Sequence, residues 1–411
     1  MRGKEIEPVG YLCGVWLSLR QRHIEEKSMK YVVGSNLFLS RLQVLNQVIL
    51  SKPMLPAFGC FLFDIEGTKM RVLASDGEVT IRTQLELIDA SGDMKFMLDA
   101  ARVVEILKEF PDQPLVLELD PNTLQLEVKY QNGYLSWQAE NAENYPEVLK
   151  DVDEEPLTVT IAEGRLLGKG MAAALTATAS ADMGRRVMSG VYMDVMPGQI
   201  ALVSSDGHKL VRYIVETDNQ EATLGFTFPP KPAKLLKAIS EDIEGAVVLT
   251  AYGKKQALIQ AGDYEVTCLL IADSYPNYKS VIPQKNENVA VIDRAALLTG
   301  LKRMGALMVQ GVSSPLVKIR LEENSLTLQA GDPAYSTFGE EKLVCNYSGT
   351  PLTIGFNSAD LRVLLGNVET EDVVVKLADA VKAGLILPAP IDEGEKKGGD
   401  LLILLMPILI N

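Results

Sequence analysis

The chain repeats itself at a spacing of about 130 residues, and a repeat of that length settles architecture before any local structure is read. Ser75-Asp76-Gly77 recurs as Ser205-Asp206-Gly207, and Tyr145-Pro146 recurs as Tyr275-Pro276, both with an offset of 130 residues. Helical patterns extend the repeat to a third copy. Val103, Ile106, Leu107 and Phe110 lie at i, i+3, i+4 and i+7, an apolar stripe along one helix face. Pro232, Leu235, Leu236 and Ile239 keep that spacing 129 residues on, and Leu361, Leu364, Leu365 and Val368 keep it again. An earlier stripe in each unit runs Phe38, Leu42, Leu45, Ile49, then Leu167, Met171, Ala174, Thr178, then Leu297, Leu301, Met304, Met308.

Each of three units therefore holds two amphipathic helices, and the segments between them read as strands. These are Gly59–Ile65, Lys69–Ala74, Val79–Leu87, Leu115–Leu119, Thr123–Tyr130, Val191–Val195, Ala246–Ala251, Gln256–Ala261, Leu316–Leu321, Ser325–Ala330 and Val373–Leu377. The order within a unit is strand, helix, three strands, then the same again. Runs of strands with two helices on one face of antiparallel sheets define an α+β domain. The expected division is an N-terminal extension over 1–28, outside the repeat and dispensable, followed by domains over 29–150, 156–282 and 286–411. Acidic Asp151–Pro156 and polar Pro283–Asn288 are solvated linkers; the acidic run lacks the glycine and ligand spacing of a calcium loop.

Chemistry is sparse. The chain has two histidines, His23 and His208, and four scattered cysteines, Cys13, Cys60, Cys268 and Cys345, without a CxxC pair. Neither a metal site nor a disulfide framework is expected, and a reducing cytoplasm is the expected location. No apolar run reaches the ~20 residues of a membrane helix. Gly168–Ala173 matches GxGxxA, with Asp194 where a ribose-binding acid would stand, but Leu166-Leu167 before it already belong to a helical stripe. The glycines are expected to thin a helix, and no cofactor is expected. Asp206-Gly207-His208 is expected to be a turn rather than a catalytic acid–histidine pair, so the chain reads as a protein without an active site.

Charge is unevenly placed. Over 35–49, 99–110, 162–180, 229–240, 293–308 and 357–368 the net charges are +1, −1, +1, +3, +2 and 0, a total of +6 in a chain of net charge −14. Basic helices in an acidic protein point to an anionic partner. Arg102, Lys169, Lys234, Lys237, Lys302 and Arg303 are candidates on charge alone.

Ser205–Leu210, Ser274–Tyr278, Tyr347-Ser348-Gly349, Ile354–Asn357 and Met406-Pro407-Ile408, with Leu55-Pro56 and Arg185–Val191, resemble the bacterial sliding clamp family, the beta subunit of DNA polymerase III. The resemblance runs from Met29 to Asn411. It implies the DNA-clamp fold, a homodimeric ring of six similar domains with twelve helices around the hole, and sequence-independent binding of double-stranded DNA. It further implies a processivity factor without catalysis, whose partners are the replicative DNA polymerase, the clamp loader and repair proteins carrying a short peptide. Lys52, Arg185 and Lys231 match DNA-contacting positions. Met188, Ser205, Gly207, His208, Leu210, Pro276, Val281, Val381, Leu405, Met406, Pro407 and Ile408 match the peptide pocket. Two departures stand out: residues 1–28 precede the usual start, and Ile408–Asn411 replace the usual basic residue and leucine at the end. An acidic three-repeat scaffold without DNA encirclement and an enzyme using the Gly168 region are the alternatives.

Overall fold

The computed structural model describes residues 28–148, 154–180, 182, 184–240, 243–308, 315–332, 335–390 and 399–410. The extension, apart from Ser28, and residues 151–153 of the first linker lie outside the described residues. The chain divides into two compact units, Met1–Asp151 with Asp263–Thr267, and Val152–Gly262 with Cys268–Asn411.

Six α-helices are described: α1 (Ser35–Leu45), α2 (Ala100–Lys108), α3 (Gly164–Leu175), α4 (Pro230–Ser240), α5 (Arg294–Ala306) and α6 (Ser358–Leu365). They pack as pairs, α1 with α2, α3 with α4 and α5 with α6. The stripes face inward: Phe38, Leu42 and Leu45, Leu235, Leu236 and Ile239, and Leu361, Leu364 and Leu365 are all buried. Three helices start on a side-chain cap that satisfies an otherwise orphan amide. Asp99 Oδ1 accepts from the Arg102 amide at 2.8 Å, Asp293 Oδ1 from the Ala296 amide at 2.6 Å, and Asn357 Oδ1 from the Ala359 amide at 3.0 Å. The helices end sooner than the stripes, with Ile49, Phe110, Thr178, Met308 and Val368 beyond their last turns. Val368 is still buried and the Phe110 ring rests on Tyr130, 5.0 Å between centroids, so apolar packing outlasts helical geometry.

Each of the three domains is a doubled strand–helix–three-strand unit of antiparallel pairs. Its first strand pairs with the strand after its second helix: Met29–Gly34 with Pro114–Leu119, Pro156–Ile161 with Val247–Tyr252, and Asn288–Asp293 with Asp372–Leu377. In the second unit Lys209–Glu216 pairs with Asp400–Leu405, so that one twelve-stranded sheet runs through the second and third domains. That shared sheet is why two domains form one compact unit. The expected strand Thr123–Tyr130 begins only at Gln125, because Leu124 has φ 56° and Asp120 Oδ1 accepts from the Asn122 amide at 2.8 Å, making a turn there.

The repeated markers touch each other. Asp76 Oδ1 accepts from the Glu78 and Val79 amides at 2.9 and 2.8 Å, and Asp206 Oδ1 from the His208 and Lys209 amides at 2.8 and 2.9 Å. Gly77 and Gly207 hold φ of 94° and 92°, a region glycine enters without a Cβ clash. Tyr145 and Tyr275 bury their rings beside these turns, their hydroxyls toward the backbones of Ser75 and Ser205, and burial pushes both phenols well up. The 130-residue echo is one turn-and-tyrosine contact built twice. Asp206 is thereby bonded to the His208 backbone, which leaves the pair a turn.

Gly168 and Gly170 lie inside α3, which removes the strand-to-helix turn that a dinucleotide fingerprint needs. A Cβ on Gly170 would stand 2.8 Å from Tyr213 Cδ1 and 3.0 Å from Leu202 Cδ2, and one on Gly300 of α5 would stand 2.7 Å from Leu328 Cδ1. These glycines let each helix lie close on its sheet. Gly170→Val is expected to destabilise the second unit by ~2 kcal/mol through overpacking, read as a lower urea midpoint; an unchanged midpoint would show that the helix is free to lift.

Candidate functional site

Three segments of the second unit converge around the sheet shared by its two domains. The first is the turn Ser205–His208, the second the stretch from Tyr275 to Val281, and the third the tail Met406–Ile408. Backbone bonds place the tail: the Met406 amide donates to the His208 carbonyl at 2.8 Å and the Ile408 amide to the Gly355 carbonyl at 2.8 Å. Strand register puts Leu210 opposite Leu404, and Leu385 opposite Leu404 from the other side. Because side chains alternate along a strand, these leucines share one face. There they form an apolar cluster with Ala383, Leu402 and Tyr278, and with the half-buried Tyr275 and Ile282.

Met188 is buried with Val187, Ala179 and Ile271 in a neighbouring cluster that also packs on Tyr275, so the Tyr275 ring joins the two. It stacks on Tyr192, with centroids 4.7 Å apart and planes 9° from parallel. Around this floor stand exposed apolar groups, Val281 at 57%, Val381 at 58% and Met406 at 40% exposure. Ser205 and Pro407 are half-buried, and Gly207, His208 and Pro276 are exposed. The arrangement of several apolar positions around few polar ones suits a short peptide. Leu405 departs from the set: it is buried on the opposite face, in the third-domain core with Leu377, Ile386 and Phe356. Its neighbour Leu404 takes the position on the pocket side.

Sequence reasoning has Tyr275 and Tyr278 in a segment that carries the family resemblance but names neither among the site residues. The Tyr278 hydroxyl donates to Asp194 Oδ2 at 2.8 Å, and Lys279 Nζ lies 2.9 Å from the same oxygen. Burial, then the Asp194 charge, pushes the Tyr278 phenol far up, so it stays a donor. Asp194 thus anchors the connecting stretch on the second domain. The usable signal is the aromatic density of Tyr275-Pro276-Asn277-Tyr278.

The cationic candidates are spread over both units. In the first unit Lys52 is exposed in the loop after α1, and Arg102 is exposed on α2. In the second, Arg185 is exposed, Lys234 is exposed and Lys231 and Lys237 half-buried on α4, and Lys302 and Arg303 are exposed on α5. Lys169 and Arg303 stand against carboxylates. Lys169 Nζ lies 2.8 Å from Glu369 Oε2, and Arg303 holds Glu341 with both Nε, at 2.8 Å from Oε2, and a terminal nitrogen. Hydrogen bonding by Arg303 pulls the Glu341 carboxyl below its usual value. Such exposed pairs still yield to a phosphate, but each contact then gives up an existing partner. Among the described residues no group of three or more His, Cys, Asp or Glu is arranged to hold a metal, and no helix is long and apolar enough to cross a membrane.

Three family models of the DNA polymerase III beta subunit match in chain order: the N-terminal domain over 29–150, the central domain over 167–277 and the C-terminal domain over 279–396. The beta sliding clamp of Synechococcus elongatus is 27% identical over 358 residues, covering 85% of this chain and 92% of the relative. That of Pseudomonas putida is 24% identical over 367 residues, covering 89% and 97%. Among solved structures, a DnaN sliding clamp from Pseudomonas aeruginosa bound to griselimycin superposes with a TM-score of 0.83 at 22% identity, covering 93% of this chain and all of that one. The beta subunit from Thermotoga maritima gives a TM-score of 0.80 at 22% identity with the same coverage. With all three domains matched in order across the repeats described above, this chain belongs to the DNA polymerase III beta subunit family, the bacterial sliding clamps.

Proposed function

We propose that this protein is a DNA sliding clamp, the non-catalytic processivity subunit of a replicative DNA polymerase. Two copies close a ring of six domains around duplex DNA, and partners are held through a peptide pocket. The observation that carries the reading is the presence of all three clamp domains with helices of net +6 in a chain of net −14. Phosphate contacts are independent of sequence and weaken steeply with salt, so they allow sliding; persistence comes from the closed ring. The proposed domains are 29–150, 156–282 and 286–411, with 1–28 dispensable, and the cytoplasm is the proposed location.

Lys52, Arg185 and Lys231 are the proposed phosphate contacts, with Arg102, Lys169, Lys234, Lys237, Lys302 and Arg303 secondary because they rest on charge alone. The proposed pocket comprises Met188, Ser205, Gly207, His208, Leu210, Pro276, Val281, Val381, Met406, Pro407 and Ile408, with Leu405 contributing backbone. Clamp loaded onto nicked circular DNA is expected to stay bound through a high-salt wash and to be released once the circle is cut to a linear form. Equal release from both would favour a scaffold that never encircles DNA.

A further inference from the structure

A partly buried charge cluster sits where the second and third domains meet. Lys209 lies between His208 and Leu210, its side chain 14% exposed on the sheet face opposite Leu210. Its ammonium is 2.5 Å from Asp360 Oδ1 and 3.2 Å from Asp206 Oδ2. Asp206 belongs to the second domain, in the turn that carries Ser205, Gly207 and His208. Asp360 belongs to the third, in the first turn of α6. Pairing offsets the cost of taking an ammonium largely out of water, and here the two carboxylates come from two domains. Burial pulls the lysine pKa down, but both carboxylates outweigh it and hold it above its usual value, so the charge is constant at physiological pH.

The groups so tied are two walls of the pocket. Backbone pairing between Lys209–Ile214 and Asp400–Leu405 fixes the walls only as far as the bond from the Met406 amide to His208. Beyond that point Pro407 and Ile408 turn toward the strand Leu352–Asn357, where Ile408 bonds to Gly355, and that strand leads directly into α6. A shift of α6 against the Asp206 turn would therefore carry Ile408 away from Gly207 and His208 without breaking the shared sheet.

We propose that Lys209 is a positioning residue for partner peptides, clamping Asp206 to Asp360 and so setting the gap between the turn and the C-terminal tail. The proposal rests on the pocket described above, and Lys209 touches no peptide itself. Its energetic logic is preorganisation: a gap held open at the right width spares the peptide the cost of ordering it.

The test is calorimetric titration of a Gln-Leu-x-Leu-Phe peptide against the full-length dimer, the single variants Lys209→Met, Lys209→Arg, Asp360→Asn and Met406→Asp, and the double variant joining Lys209→Met to Asp360→Asn, with melting temperatures alongside. Lys209→Met and Asp360→Asn are each expected to bind about tenfold more weakly, and the double variant no more weakly than the worse single one, as coupled neighbours behave. Lys209→Arg, which keeps the charge and the reach, is expected to recover most of the affinity. Wild-type affinity in Lys209→Met and Asp360→Asn would overturn the clamp while leaving the pocket standing, as would full additivity in the double variant. If Lys209→Met does not fold, Asp360→Asn and Lys209→Arg carry the same comparison. Equal binding by the wild type and Met406→Asp, or none by the wild type, would overturn the pocket and the clamp together.

Discussion

Replacing Met406 by Asp is expected to weaken binding of a Gln-Leu-x-Leu-Phe peptide by about thirtyfold or more while leaving the dimer folded. Met406 follows directly on the last strand, and its amide is held by the His208 carbonyl, so the backbone there is fixed by a bond the substitution does not touch. Its side chain is 40% exposed, so in the free protein an aspartate stays hydrated and folding is spared. The cost arises on binding, when the proposed peptide covers the carboxylate beside the apolar cluster of Leu210, Leu385 and Leu404 without supplying a donor. Burying an unpaired polar or charged group costs ~2 kcal/mol or more, and hot-spot positions show effects of that size. Against a wild-type Kd on the order of micromolar, that cost moves the variant to tens of micromolar or weaker. Isothermal titration together with light scattering decides the matter. Equal affinity from a folded dimer would remove the C-terminal tail from the pocket.

Reversing Lys231, Lys234 and Lys237 to Glu is expected to weaken equilibrium binding to duplex DNA strongly and to reduce, with the ring still closed, retention on nicked circular DNA. On α4 the buried positions Pro232, Ala233, Leu235, Leu236 and Ile239 turn the three lysines to the other side of the helix, and no acid stands among them within it. Removing one cation from a phosphate reduces the slope of log K against log salt by roughly 0.9, so removing three lowers it by close to three units, and the introduced carboxylates add repulsion. The lysines lie outside the helix core, so dimer formation should be unchanged. The readouts are the salt slope of equilibrium binding to duplex DNA and the lifetime on nicked circles. A lifetime and slope equal to wild type would place this face away from the hole. Lys169→Glu should have a smaller effect, since it reverses one charge rather than three and frees Glu369 from its pair.

Helix faces and turns are open to sequence reasoning because their rules are local. An apolar residue every three or four positions produces a buried stripe wherever the helix ends up, which is why Leu361, Leu364 and Leu365 are legible without knowing what covers them. Ser-Asp-Gly signals its own turn, because the Asp carboxylate bonds to amides two and three residues ahead. Gly170 is readable only in part: its place in a helical stripe argues against a nucleotide loop, but the contact with Tyr213 that excludes a Cβ comes from a distant strand.

Leu405 and Leu404 differ by one position, and composition cannot say which joins Leu210 in the apolar cluster; pairing with Lys209–Glu216 makes that choice, since a one-residue step along a strand changes the face. Counting charges likewise finds the basic helices, while the acids that answer Lys169 and Arg303 stand 200 and 38 residues away and are met only through folded strands. The repeat, the α+β class, the six helices and the excess positive charge follow from patterns spanning a few residues or from simple recurrence. Which cations meet carboxylates, which leucines join the apolar cluster and how Lys209 comes to bridge Asp206 and Asp360 depend on side chains within about 3–4 Å of one another across segments remote in the chain, and only long-range strand pairing sets those distances.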